Sequence, residues 1–140
     1  MQSREPADPL PTGDQESTME IGISKKGDLN VLTVKGKIRL QNWRVVDKHL
    51  HTMLDNGCRW VAMDMSEVGL ICSTGIGAIL HNIRQFQEHE ACLMLVSTSP
   101  YMQEVFQLFG CEAYLSDNIF LEWRALEKRL HSQGLALTGP

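Results

Sequence analysis

The amino-acid sequence predicts one α/β domain built on a mixed, mostly parallel sheet of about five strands, with flanking helices and an N-terminal β-hairpin. Three observations carry that expectation. Two β-type runs open the chain around a turn, two later apolar runs are short and continuous, and amphipathic stretches of helical length alternate with them. At 140 residues and 43% hydrophobic content the chain suits one core rather than two.

Each element has a local cause. Ile21 to Ser24 and Leu29 to Lys37 are β-type runs separated by Lys26-Gly27-Asp28, a turn-forming cluster that suits a hairpin. From Gln41 to Asn56 the period becomes helical, with Trp43, Val46, Leu50, Met53 and Leu54 on one stripe and Gly57 as the stop. Trp60 to Met63 is continuously apolar and ends at Asp64, as a strand covered on both faces should be. After a loop, Ile76, Ile79, Leu80, Ile83 and Phe86 repeat at helical spacing, while His81, Asn82, Arg84, Gln85 and Glu88 take the polar face. Ala91 to Val96 is the second buried-type strand. Ser99 then supplies an N-cap and Pro100 the first helical position of a helix reaching Gly110, with Met102, Val105, Phe106 and Phe109 apolar. Ala113-Tyr114-Leu115 predicts a short strand, and Ser116 or Asp117 a cap for a last helix striped by Ile119, Trp123, Leu126 and Leu130. Helix-length connections demand parallel neighbours, whereas the opening hairpin does not.

Residues 1–18 carry Pro6, Pro9, Pro11 and scattered acids with little aliphatic content, which predicts a disordered tail before a domain at residues 19–130. Residues 131–140 lose periodicity and read as a second, flexible tail. The opening lacks the basic start and apolar run of a secretory signal, and no stretch reaches bilayer-spanning length, so a cytoplasmic protein without membrane insertion is expected. Of the net charge of -4, the tail holds -3, from Glu5, Asp8, Asp14 and Glu16 against Arg4, which leaves about -1 for the domain. That balance argues against nucleic acid, and Lys25, Lys26, Lys35, Lys37, Arg39 and Arg44 read as a solvated strand edge. Cys58, Cys72, Cys92 and Cys111 are too scattered for a zinc site and read as reduced, mostly buried thiols; no metal or cofactor is expected.

The most informative segment runs from Asp64 to Gly77, Asp-Met-Ser-Glu-Val-Gly-Leu-Ile-Cys-Ser-Thr-Gly-Ile-Gly, between a buried strand and a helix. Val68, Leu70 and Ile71 should pin it to the core, with Ser73 or Thr74 as the helix N-cap and the hydroxyls at the helix's positive end. In open α/β sheets, sites lie outside the carboxyl ends of the strands, where this loop falls.

The segment resembles the signature of the STAS domain family: an Asp-x-Ser-like strand end, an apolar pair, then Asp-Ser-Ser-Gly-Leu-Gly. Val34-Lys35-Gly36-Lys37-Ile38 is similar to the family's second strand and turn, and Ser99 to Leu130 to its last two helices. In the anti-sigma-factor antagonists of that family, the Ser after the Asp is phosphorylated by a partner anti-sigma kinase that binds the unphosphorylated form. The resemblance therefore implies a non-enzymatic regulator whose partner is an anti-sigma-factor serine/threonine kinase. It implies Ser73 as acceptor with Thr74 as fallback, and a docking surface of Arg39, Asp64, Ser66, Cys72, Gly75, Ile76, Gly77 and His81. Cys72 stands where the antagonists have Asp, and Arg39 where they have an acid, so both departures remove negative charge from that surface.

Plainer readings stand beside these. Ser73 is also a natural cap, Cys72 beside Ile71 an inert thiol, Gly36 a turn residue, and Trp43, Trp60 and Trp123 core or groove anchors. A hydrolase would use Ser73 with His81 or His49 as base and Asp64 to orient it, yet the strained G-x-S-x-G elbow is absent. A scaffold or ligand-sensing role, for nucleotide, lipid or a transporter, is the other alternative for this fold.

Overall fold

Gly27 takes φ +61° in the turn after Lys26, a conformation glycine adopts without strain, and the chain folds back on itself there. In the computed structural model, which describes residues 19–110 and 118–135, this joins β1 (Met19–Lys26) and β2 (Leu29–Ile38) as an antiparallel pair. There follow α1 (Trp43–Asp55), β3 (Trp60–Ile71), α2 (Ser73–Glu88), β4 (Cys92–Val96), α3 (Pro100–Leu108), β5 (Ile119–Phe120) and α4 (Trp123–Ser132). The sheet order is β1-β2-β3-β4-β5, and every pair after the first is parallel, so the expected mixed sheet with its opening hairpin is the observed one.

Strand alternation divides the core into two layers. Val61, Met63 and Met65 of β3 and Leu93 and Leu95 of β4 face the buried stripes of α1, α2 and α3. Ala62, Met94 and Val96 point the other way, where Leu126 and Leu130 of α4 cover them. A strand buried on both sides has no polar face, hence the continuous apolar runs. Lys26 of β1 reaches an exposed ion pair with Glu127 of α4. Ser99 caps α3 as expected, its hydroxyl accepting from Met102 N at 3.3 Å, with Pro100 in the first turn. Ser99→Ala is expected to lower stability by about 1 kcal/mol in urea unfolding, the usual effect of a lost cap.

Several expectations need correction. The third strand does not end at Asp64 but continues to Ile71. Its register against β2 slips twice, since Thr33 and Lys35 face Asp64 and Glu67, and Gly36 and Lys37 face Val68 and Leu70. Each slip adds a residue to β3, so its core-facing positions after Met65 become Val68 and Ile71, three apart instead of two. Gly36 is no turn residue: at φ +101° it sits inside β2 at the second slip. Ile119 belongs to β5 and not to the last helix, whose N-cap is Glu122. Asn82 is fully buried, although the helical wheel puts it on the polar side. Leu70 and Phe109 are exposed rather than core residues. The predicted strand at residues 113–115, the caps Ser116 and Asp117, Cys111 and the N-terminal tail lie outside the described residues.

Candidate functional site

The long β3 outruns β4, which pairs with it only as far as Asp64, so residues beyond the bulges are flanked by β2 alone. Two bonds hold this projecting tip. Cys72 N donates to Ile38 O at 2.9 Å, tying the ends of β3 and β2 together, and Ile71 N donates to the Tyr101 hydroxyl of α3 at 3.0 Å. Tyr101 is a supporting residue that the stripe of α3 did not reveal, because its ring lies off that stripe and its role is a single hydrogen bond.

Strand geometry up to Ile71 leaves Cys72 extended, at φ -77° and ψ 159°, so Cys72 rather than Ser73 or Thr74 is the N-cap of α2. Its thiol accepts from Gly75 N at 3.3 Å. Ser73 is therefore the first helical residue, and it and Thr74 are exposed; among the described residues no hydrogen bond occupies either hydroxyl. Gly75 is buried, and a Cβ there would lie 3.2 Å from Ile38 Cγ2 and 3.3 Å from Ile71 Cγ1. Ile76, 2% exposed, packs in the core. Both support the helix from beneath and present no side chain to a partner. Ser73, Gly77 and His81, four residues apart, share one exposed stripe of α2.

A thiol is a weak acceptor at a position that favours Asp, Asn or Ser. Cys72→Asp is expected to stabilise the domain by about 1 kcal/mol, through a stronger cap and the dipole of α2, measured by urea unfolding with Cys72→Ser as reference.

Other predicted residues sit elsewhere. Asp64 and Ser66 follow Ala62 on the opposite side of the sheet, toward α4. There Asp64 accepts from Ser66 N at 2.9 Å and from Trp123 Nε1 at 3.1 Å, while Ser66 Oγ accepts from Thr98 N at 3.2 Å. Both carboxylate oxygens of Asp64 are thus engaged in structure. His81 lies about 12 Å along the helix axis from Ser73, and His49 Nδ1 contacts Val45 O at 2.8 Å within α1, so no Ser-His-Asp arrangement forms. Arg39 is at the site, in the turn after β2, its N donating to Asn42 Oδ1 at 2.7 Å. Asn82 bridges helices, donating from Nδ2 to Asp47 Oδ1 of α1 at 2.7 Å and to Ala78 O at 2.8 Å, which leaves its own Oδ1 without a partner among the described residues. Cys58, Cys72 and Cys92 form no disulfide among the described residues and are half-buried, less enclosed than expected. Among the described residues no group of three or more metal-ligating side chains occurs, and no helix is long and apolar enough to cross a membrane.

The chain is similar to BtrV of Bordetella bronchiseptica, a protein named as a candidate anti-sigma factor antagonist, at 24% identity over 92 residues, covering 66% of this chain and 79% of that one. An anti-sigma factor antagonist from Mycobacterium paratuberculosis has the same fold, with a TM-score of 0.69 at 14% identity over 80% of this chain and 94% of the other. So does the Bacillus cell fate determinant SpoIIAA in its phosphorylated form, with a TM-score of 0.59 at 16% identity over 81% and 99%. The STAS domain model matches residues 20–125, which take in the hairpin, the Ser73 tip and most of the helical layer, and the chain therefore belongs to the STAS domain family.

Proposed function

We propose that this chain is a non-enzymatic regulator of partner switching in the cytoplasm. Its Ser73 tip binds an anti-sigma factor that is also a serine/threonine kinase, and phosphorylation of Ser73 ends the complex. The observation that carries this reading is the position of Ser73: the first residue of a 16-residue helix, exposed, with the capping role taken by Cys72. The names of its relatives point the same way. In the reaction the Ser73 oxygen attacks the terminal phosphorus of a nucleoside triphosphate held by the kinase. The new O–P bond forms as the bridging P–O bond breaks, the diphosphate leaves, and the hydroxyl proton passes to a base of the kinase. The phosphate adds about -1.5 to -2 charges at a helix N-terminus, where the dipole favours them, so the domain stays folded while the docking face changes. Thr74 is the second acceptor available on the same turn.

The test is affinity purification of wild type, Ser73→Ala and Ser73→Asp from native cells, with phosphosites mapped on the same samples. A kinase-fold partner retained by wild type and Ser73→Ala, and bound at least tenfold more weakly by Ser73→Asp (about 1.4 kcal/mol), is expected. Recovery of one non-kinase partner by all three forms, with Ser73 and Thr74 unmodified, overturns the reading in favour of a scaffold or ligand-sensing role.

A further inference from the structure

The tip beside Ser73 is unusual for its charge and exposed apolar surface together. Leu40, Val45 and Leu70 are 63%, 44% and 37% exposed. Lys37, Arg39 and Arg44 lie at the same end of the fold, and among the described residues none of these cations has a carboxylate partner; Arg44 instead lies over the Trp43 ring at 5.0 Å. Of the acids near this end, Glu67 pairs with Lys35 at 3.5 Å, and Asp47 accepts from Asn82 and lies beside His51. The backbone confirms that the three cations share one end of the fold. Lys37 lies beside Leu70, Asn42 Nδ2 donates to Lys37 O at 3.1 Å, and Trp43 N donates to Arg39 O at 3.0 Å.

The antiparallel register brings a second part of the chain to this end. Met19, the first residue of β1, pairs with Gly36, so β1 begins one residue short of Lys37. The preceding segment carries Glu5, Asp8, Asp14 and Glu16 against Arg4, a charge of -3 that opposes three unpaired cations. Asp14 is only five residues from Met19, so at most about 18 Å of chain separates it from the start of β1.

We propose that the acidic N-terminal segment of residues 5–16 docks on the basic, apolar-centred rim of Lys37, Arg39, Arg44, Leu40 and Leu70. It thereby competes in cis for the surface beside Ser73. The contact is electrostatic and salt-screened, and tethering supplies an effective concentration that an untethered acidic peptide lacks. A second copy of this chain is a poor occupant because the rim would meet its own charge. The regulatory consequence rests on the partner-switching reading, since it assumes a partner at Ser73; the docking itself does not.

The test compares backbone amide NMR spectra of the full chain with those of the full-length variant Glu5→Gln/Asp8→Asn/Asp14→Asn/Glu16→Gln. Amide shifts at Lys37, Arg39, Leu40, Val45 and Leu70, with the distant Gly57 and Gly134 unmoved, are expected. The same shifts should appear for wild type in about 1 M NaCl, where the Debye length is about 3 Å. In the reciprocal variant Lys37→Gln/Arg39→Gln/Arg44→Gln, the amides of residues 5–16 should move. Rim amides that ignore neutralisation of the segment overturn the proposal, as do shifts that vanish on dilution, which would mark contact between copies. A partner that binds severalfold tighter to the neutralised chain extends it to regulation; rim shifts without any kinase partner would sink the partner-switching reading and leave the docking intact.

Discussion

Phe86→Ala is expected to remove about 3–5 kcal/mol of stability and to lower the melting temperature by roughly 10–20 °C. Phe86 is fully buried in the helical layer, near the end of α2 remote from Ser73, and its carbonyl accepts from Ala91 N at 2.8 Å where the chain turns into β4. Truncation empties a ring-sized volume between packed strands and helices that can collapse only in part, so lost transfer energy and lost contacts add. Domains of this size hold about 5–15 kcal/mol in total, which leaves the variant marginal at growth temperature. Because α2 also carries Ser73, partner binding and phosphorylation should fall with the folded fraction, and both should recover on cooling. Leu108→Ala, at a side chain 77% exposed, should stay within about 0.5 kcal/mol of wild type. Guanidinium unfolding of the two variants side by side checks the contrast, and a loss for Phe86→Ala as small as that for Leu108→Ala would mean that Phe86 packs less tightly than its burial implies.

What was legible in the sequence follows the periodicities. The stripes of α1 and α2 and the apolar runs of β3 and β4 were readable because burial on one or both faces leaves a repeat that survives tertiary packing. The tip of β3 was not, for a physical reason: two bulges turn the spacing of Met65, Val68 and Ile71 into threes, which resembles neither strand alternation nor a helix. That hidden extension also moved the cap. Propensity favours the hydroxyls of Ser73 and Thr74, but the backbone is still extended at Cys72, and the residue at the junction caps the helix whatever its rank. Ile119 falls at helical distance from Trp123, and a two-residue strand leaves no period of its own to contradict it. Asn82 needed knowledge of α1, since the Asp47 carboxylate there accepts from its buried amide, which also donates to Ala78 O within α2. The consequence for the site is specific. Ser73 and Thr74 emerge as exposed, uncommitted hydroxyls, and Asp64 and Ser66 as a structural pair on the other face.

The two glycines of α2 separate packing from docking. Gly75→Val is expected to cost about 1–3 kcal/mol, because the Cβ alone would press on Ile38 and Ile71 at 3.2 Å and 3.3 Å, and the branched methyls have no room behind it. Relief requires the Ile38 and Ile71 side chains to shift at the joined ends of β2 and β3, where the Cys72 N to Ile38 O bond holds the chain next to Ser73. Stability and partner binding should therefore fall together. Gly77→Ala should do the opposite to the fold. A Cβ there would meet nothing within 4 Å, so the gain of helix propensity should raise stability by roughly 0.5–1 kcal/mol. The fold by itself gives no reason for glycine at this exposed position one turn beyond Ser73. If a partner's backbone approaches α2 closely there, the stabler Gly77→Ala variant should bind at least severalfold more weakly. Thermal unfolding paired with a titration of the partner reads both quantities on one preparation. Gain of stability with unchanged affinity would move the docking face off the Ser73-Gly77-His81 stripe and onto the Leu40-Leu70 rim.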